Sequence, residues 1–188
     1  MLLAIDRSIQ PASYFVEGGD VSPKRPFEGG FEKTALPEIT RVAVAIGPGS
    51  FSGIRSALAF ANGFSLPAGT PVIGIPTPAA IWRAWQSEHP DTTAGIVIGD
   101  ARRGKLWYWI AEKMAHGVPP CLASAEEVRA IIGRFGEPSL PVITPDHARL
   151  AALFPEAVPA PPIARAVAEL ALEGLCLPPL PVYLSEAV

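Results

Sequence analysis

The chain has 188 residues, 49% of them apolar and 18% charged, with a formal net charge of −3. This balance excludes a disordered chain and a protein that grips nucleic acid through a broad basic surface of its own. The length allows one large domain or two small lobes with a sizeable core.

The apolar runs Val42–Ile46 and Ile96–Ile98 are of strand length, too short to span a bilayer. Asp6 and Arg7 interrupt the first apolar run after five residues, so no signal peptide is expected. Cys121 and Cys176 stand apart, with no CxxC and no nearby His. They read as reduced core thiols of a cytoplasmic protein rather than as a disulfide.

Met1–Ile5 reads as a strand ending in Asp6-Arg7-Ser8. Ser13–Glu17 alternates and is closed by Gly18-Gly19-Asp20, so the two form an antiparallel hairpin. Asp6 at the strand end is either a metal- or phosphate-site carboxylate or a turn aspartate capping local N–H groups. Val21–Leu36 is broken by Pro23, Pro26 and Gly29-Gly30 and has room for one short edge strand at most.

Arg41–Ile46 is a buried, β-branched strand that runs into Gly47-Pro48-Gly49. Ser50 or Ser52 caps a helix that continues to about Leu66, where Pro67 and Gly69 stop it. Strand, glycine turn and helix start aim backbone N–H groups at one spot, which suits an anion or a partner's polar group. Within the helix, Ile54, Ala57, Leu58, Ala61 and Ser65 follow helical spacing, with Phe60 and Phe64 on an adjoining stripe. That stripe faces either the helix's own domain or a protein partner.

Val72–Ile75 is a buried strand, and Thr77–Glu88 a helix with Ile81, Trp82 and Trp85 inward. Gly95–Gly99 is another strand, ending in Asp100-Ala101-Arg102-Arg103-Gly104 and returning as Lys105–Glu112. This repeats the strand–Asp–turn–strand pattern of the N-terminus and implies two related lobes, 1–92 and 93–188. Arg102 and Arg103 either meet phosphates or are solvated turn charges. Ser124–Glu127 is a capping box for a helix to about Phe135. The rest reads as a strand at Leu140–Ile143, a helix at Asp146–Phe154, a proline-rich connection at Pro155–Pro162 and a helix at Ile163–Leu175. Pro178–Glu186 is an extended tail.

Spacing excludes most chemistry at the glycine turn. Gly47, Gly49 and Gly53 sit at relative positions 1, 3 and 7, not the 1, 3 and 6 of a dinucleotide fingerprint. Ile54 stands where a P-loop needs Lys. Neither Ser50 nor Ser52 is flanked by Gly at two residues on each side, so there is no nucleophile elbow. His89, His116 and His147 form no HxxxH or HExxH, which argues against a His-based metal site. No catalytic constellation emerges.

Leu3-Ala4-Ile5-Asp6-x-Ser8, the nine residues Gly47–Arg55 and Asp100–Gly104 together resemble the TsaB (YeaZ) family. That family takes part in making the threonylcarbamoyl-adenosine modification of tRNA. Its central motif usually reads GPGSFTGLR; here Ser52 and Ile54 replace Thr and Leu. Pro181-Val182-Tyr183-Leu184 resembles the family's C-terminus.

The resemblance implies an α/β, two-lobed fold like actin, Hsp70 and hexokinase, with a shortened N-terminal lobe. It implies a cytoplasmic, non-catalytic subunit that supports a TsaD-like transferase, is joined by a TsaE-like ATPase and forms a homodimer when isolated. No cofactor and no metal are implied beyond weak ATP or ADP binding at a partner interface, and no strong tRNA binding of its own. Asp6, Ser8, Gly47, Pro48, Gly49, Ser50, Ser52, Gly53, Asp100, Arg102 and Arg103 are the candidates for turn and anion contacts. Ile54, Arg55, Leu58, Ala61, Asn62 and Ser65 are the candidates for the partner face, so Ala61→Arg is expected to weaken association and leave the fold intact.

Three departures stand out. Residues 21–40 are too short for the strand and amphipathic helix that family members carry there. Asp-Thr-Ser is replaced by Asp6-Arg7-Ser8, and the usual Arg after Pro-x-Tyr-Leu by Ser185. Two other readings follow: a nucleotide-dependent phosphotransferase or ATPase of the same fold, with Asp6 and Asp100 around a metal–phosphate, or a homologue that has lost its TsaD interface.

Overall fold

The computed structural model describes residues 1–18, 38–112, 119–134 and 140–184. The first sheet is built from β1 (Leu2–Asp6), β2 (Ser13–Val16), β3 (Arg41–Ala45) and β4 (Val72–Ile75), in the order β2-β1-β3-β4. β1 and β2 are antiparallel, with Ile5 opposite Tyr14, and β3 and β4 run parallel to β1. Helix α1 (Phe51–Ser65) connects β3 to β4, and α2 (Thr77–Glu88) follows β4.

The second sheet is built from β5 (Ala94–Arg102), β6 (Lys105–Glu112), β7 (Cys121–Ala123), β8 (Val142–Thr144) and β9 (Val158–Pro159), in the order β7-β6-β5-β8-β9. Its helices are α3 (Ala125–Arg134), α4 (His147–Leu150) and α5 (Ala164–Leu172). The two halves share one plan. Each has an antiparallel hairpin, two further parallel strands, a helix between those strands (α1, α4) and a helix after them (α2, α5). The strand–Asp–turn–strand repetition in the sequence is therefore the start of a structural repeat.

Strand side chains alternate between faces, and each sheet uses both. In β1 and β3, Leu3, Ile5, Val42 and Val44 pack outward under α1, while Leu2, Ala4, Ala43 and Ala45 face the molecular centre. In the second sheet Ile96 and Ile98 face Val128, Leu150 and Phe154, while Val97 joins the centre. The centre holds two helices exchanged between lobes. α2 leaves the first sheet and packs against β5 and β6; α5 leaves the second sheet and packs against β1 to β4. Arg83 of α2 clamps the pair, with Nε 3.0 Å from Glu169 Oε2 and a second ion pair to Glu173.

Several expectations shift. The strand expected at Leu140–Ile143 is Val142–Thr144, and the helices expected at Asp146–Phe154 and Ile163–Leu175 shorten to α4 and α5. β7 and β9 carry no sequence signal, because two or three residues give no readable alternation; β9 lies inside the proline-rich connection, held by pairing with β8. Cys121 and Cys176 are exposed, not core: Cys121 begins the edge strand β7, and Cys176 lies in the segment after α5. The single edge strand allowed within Val21–Leu36 lies outside the described residues.

Candidate functional site

β1 delivers Asp6 to the carboxyl end of the first sheet, where the chain must turn. Asp6 is fully buried, and its Oδ1 accepts hydrogen bonds from Ser8 N (2.7 Å) and Ser8 Oγ (2.5 Å). The network continues through Thr77 Oγ1, which donates to Ser8 Oγ (2.9 Å) and accepts from Gly47 N (3.0 Å). Asp6 Oδ2 has no hydrogen-bond partner among the described residues. Burial pushes the Asp6 carboxyl up to about 6, against the opposing pull of the Ser8 bonds.

The glycine turn lies directly against this loop. Gly47 has φ +103°, open to glycine, and Gly47–Pro48 is cis. Ser50 N donates to Ser8 O (2.7 Å), and Ser50 Oγ caps α1 by accepting from Gly53 N (3.2 Å). A Cβ on Gly49 would strike Ser8 O, and one on Gly53 would strike Arg7 O. These glycines therefore admit the chain's own Arg7–Ser8 backbone, where a phosphate-binding loop would admit a ligand. The anion cradle suggested by strand, turn and helix start is in large part filled by the protein itself.

The equivalent corner of the second sheet is open and charged. Asp100 Oδ1 accepts from Arg102 N (2.7 Å), the same local turn as Asp6 with Ser8. Its Oδ2 meets Arg149 (2.8 Å) from α4 and Arg102 (3.4 Å). Asp100 N donates to Asp146 Oδ2 (2.9 Å). Burial and the neighbouring Asp100 charge push the Asp146 carboxyl upward, partly offset by that Asp100 N–H.

Between the two corners lies a cleft of about 710 Å³, within the size range of small-molecule sites. Ser8, Pro48, Gly49, Ser50 and Ser52 line one wall, and Asp100 and Arg102 the other. Asp6, Gly47 and Gly53 stand behind the first wall. Arg103 does not line it; it is exposed at the hairpin tip, with φ 53°. Sequence reasoning missed Thr77, Trp107, Asp146, Arg149 and Tyr183. The structural repeat offers the one signal for Asp146 and Arg149, which follow β8 as the Gly47 turn follows β3.

The face expected to meet a partner divides. Ile54, Leu58 and Ala61 are buried in the chain's own core under α1, with Ala61 at 0% exposure. Arg55 and Asn62 are exposed, and Ser65 is half-buried, its hydroxyl bonded to Asn62 O. The expectation that Ala61→Arg would leave the fold intact is corrected by this burial. Beside Arg55, whose guanidinium sits 5.1 Å over its ring, Phe51 is 58% exposed and contacts Tyr183 at the cleft mouth.

The family model described as TsaD, tRNA N6-adenosine threonylcarbamoyltransferase, matches residues 32–130, just over half of the chain. The tRNA threonylcarbamoyladenosine biosynthesis protein TsaB of Escherichia coli K12 is 36% identical over 77 residues, 40% of this chain. The alignment spans 32% of that relative's length. Among solved structures, a Pseudomonas aeruginosa protein with similarity to peptidase YeaZ superposes with a TM-score of 0.68 at 18% identity, covering 98% of this chain and 99% of that one. YeaZ from Pseudomonas aeruginosa gives 0.67 at 16% identity, covering 97% and 99%. The structural likeness establishes the two-lobed fold over nearly the whole chain.

Proposed function

The chain belongs to the TsaB/YeaZ group within the family that the TsaD model describes, and from that premise we propose that it is a non-catalytic partner subunit in tRNA threonylcarbamoyl-adenosine modification. In this reading a TsaD-type transferase carries the chemistry, a TsaE-type ATPase joins the assembly, and the chain acts in the cytoplasm, homodimeric when alone. One observation carries the reading. Among the described residues, the first-lobe wall of the cleft presents no carboxylate, because Asp6 is buried beneath Ser8 and the Gly47 turn. A phosphotransferase of this fold would need that carboxylate facing its metal–phosphate. On the opposite wall, Asp100 is engaged by Arg149 and Arg102.

The partner face lies on the outer side of α1 and its start, with Phe51, Arg55 and Asn62 in place of the buried stripe. Exposed aromatic and arginine side chains are the types that dominate interface energetics. Any ATP or ADP contact belongs at the edge of this face and not in the closed Asp6 corner.

Reconstituted threonylcarbamoyl transfer with the transferase and the ATPase is expected to require this chain. Full activity in its absence overturns the reading, as does Mg-ATP hydrolysis by the isolated chain that is lost in Asp6→Ala. Arg55→Glu is expected to reduce co-purification with the transferase while leaving the melting temperature unchanged.

A further inference from the structure

The segment after α5 crosses the molecule from the first sheet to the cleft. Leu177 makes a two-bond bridge to Gly74 of the edge strand β4: Gly74 N donates to Leu177 O (2.7 Å) and Leu177 N to Gly74 O (3.2 Å). Five residues later Val182 N donates to Ile46 O (2.8 Å), just ahead of the Gly47 turn. Between these anchors, Pro178, Pro179 and Pro181 have no N–H to give, and Leu180 N bonds back to Pro178 O within the segment. The middle is thus unattached by main-chain donors, and Leu180 is 67% exposed.

The first lobe is shaped to receive the segment. A Cβ on Gly74 would lie 2.6 Å from Pro178 O, and one on Gly47 2.9 Å from Val182 O. Glycine at both positions lets two carbonyls of the segment approach the sheet. Side chains then alternate in use. Val182 joins the cluster under α1, Leu184 reaches the central core, and the Tyr183 ring sits 5.2 Å from that of Phe51, the first residue of α1. Val182, Tyr183 and Leu184 all line the cleft.

We propose that Leu177–Leu184 is a detachable strap that sets the shape of the cleft. Seated, it holds the Gly47–Pro48–Gly49 turn and the first turn of α1 in place. Released, it withdraws Tyr183 and Leu184 from the cleft wall and frees that turn to move. Two anchors, a proline-rich middle and half-exposed side chains are the features of a unit that opens locally, without global unfolding. The inward strands β1 and β3, buried on both faces, are the opposite case.

Amide hydrogen exchange on the full chain tests this, with Tyr183→Ala removing the contact to Phe51 and Val182→Pro removing the bond to Ile46. In the unaltered protein, the Gly74 and Val182 amides are expected to exchange at least tenfold faster than those of Val44 and Ile5. In one or both variants the Gly74 and Ser50 amides are expected to accelerate at least tenfold further, with Val44 and Ile5 unchanged. The strap is overturned if Gly74 and Val182 exchange with the β1 and β3 amides, or if neither variant accelerates Gly74 and Ser50. It is equally overturned if every variant that accelerates the Gly74 and Ser50 amides accelerates Val44 and Ile5 as well, since the segment is then ordinary core.

Discussion

Asp6 is a carboxylate placed where its charge is unwelcome. It has two bonds from Ser8 on one oxygen and, among the described residues, none on the other, at 0% exposure. Its folded value of about 6 lies above the 3.8 of an ordinary aspartate, so folding favours the protonated form. The resulting stability is fully present below about pH 4 and is lost as pH rises through about 6, a contribution on the order of 2–3 kcal/mol. Asp6→Asn removes that titration. Unfolding free energy from urea titrations should fall less between pH 4 and pH 7 in the variant than in the unaltered chain. Equal pH slopes would show that Asp6 keeps its charge on folding. The sequence placed Asp6 at a strand end and left its role open between ligand carboxylate and turn cap. In the structure Oδ1 caps the turn at Ser8, and the burial that encloses it depends on Gly49 and Gly53, distant in sequence, packing onto Arg7 and Ser8.

α1 shows what helical periodicity can tell and what it cannot. The spacing of Ile54, Ala57, Leu58 and Ala61 marks one face, and the structure buries that face. Periodicity does not say whether the covering surface belongs to the same chain; here it is the outer side of β1 and β3. A guanidinium at position 61 would enter that core without a partner. Ala61→Arg is therefore expected to abolish the cooperative unfolding transition or lower stability by about 4 kcal/mol. Gly63, on the opposite side of the helix, is exposed, and a Cβ there would meet nothing within 4 Å among the described residues beyond its own helix backbone. Gly63→Ala should raise stability by about 0.5–1 kcal/mol through helix propensity. Guanidinium chloride titrations of both variants check the pair, and a stable Ala61→Arg would place α1's inner stripe outside the core.

At the scale of the molecule, the lobes are joined by the exchange of α2 and α5 rather than by a simple hinge. The central cluster takes residues from both sheets and both helices. Arg83 adds a two-carboxylate clamp on the helix pair. The clamp is partly exposed, so its worth is that of a surface network, about 1 kcal/mol, and it is screened by salt. Arg83→Ala should lower the melting temperature at low ionic strength, with the difference shrinking in roughly 1 M NaCl, where screening is nearly complete. A difference that does not respond to salt would assign the loss to packing of the arginine stem.

The alternation of strands and helices, the two hairpins with Asp6 and Asp100 at their ends and the Ser124 capping box are legible in the chain alone, which also narrows the α1 cap to Ser50 or Ser52. Each of these rests on contacts within a few residues: period-2 and period-3.6 apolar spacing, turn chemistry and local capping bonds. The sequence also carries the family resemblance, through the residues around Gly47–Arg55. What those residues face is set by the packing of the two sheets and their helices. That packing closes the Asp6 corner, brings Asp146 and Arg149 to Asp100, turns Ala61 inward and lays Val182–Leu184 along the cleft. All of these depend on pairings across tens of residues or more, as between Thr77 and Ser8 or between Val182 and Ile46. No local pattern encodes them, because burial and long-range hydrogen bonding are set by which surfaces meet once the sheets have formed. The glycine turn belongs to both kinds. Its spacing is legible as a sharp turn, but only the packed Arg7–Ser8 backbone and the strap show what the missing side chains make room for.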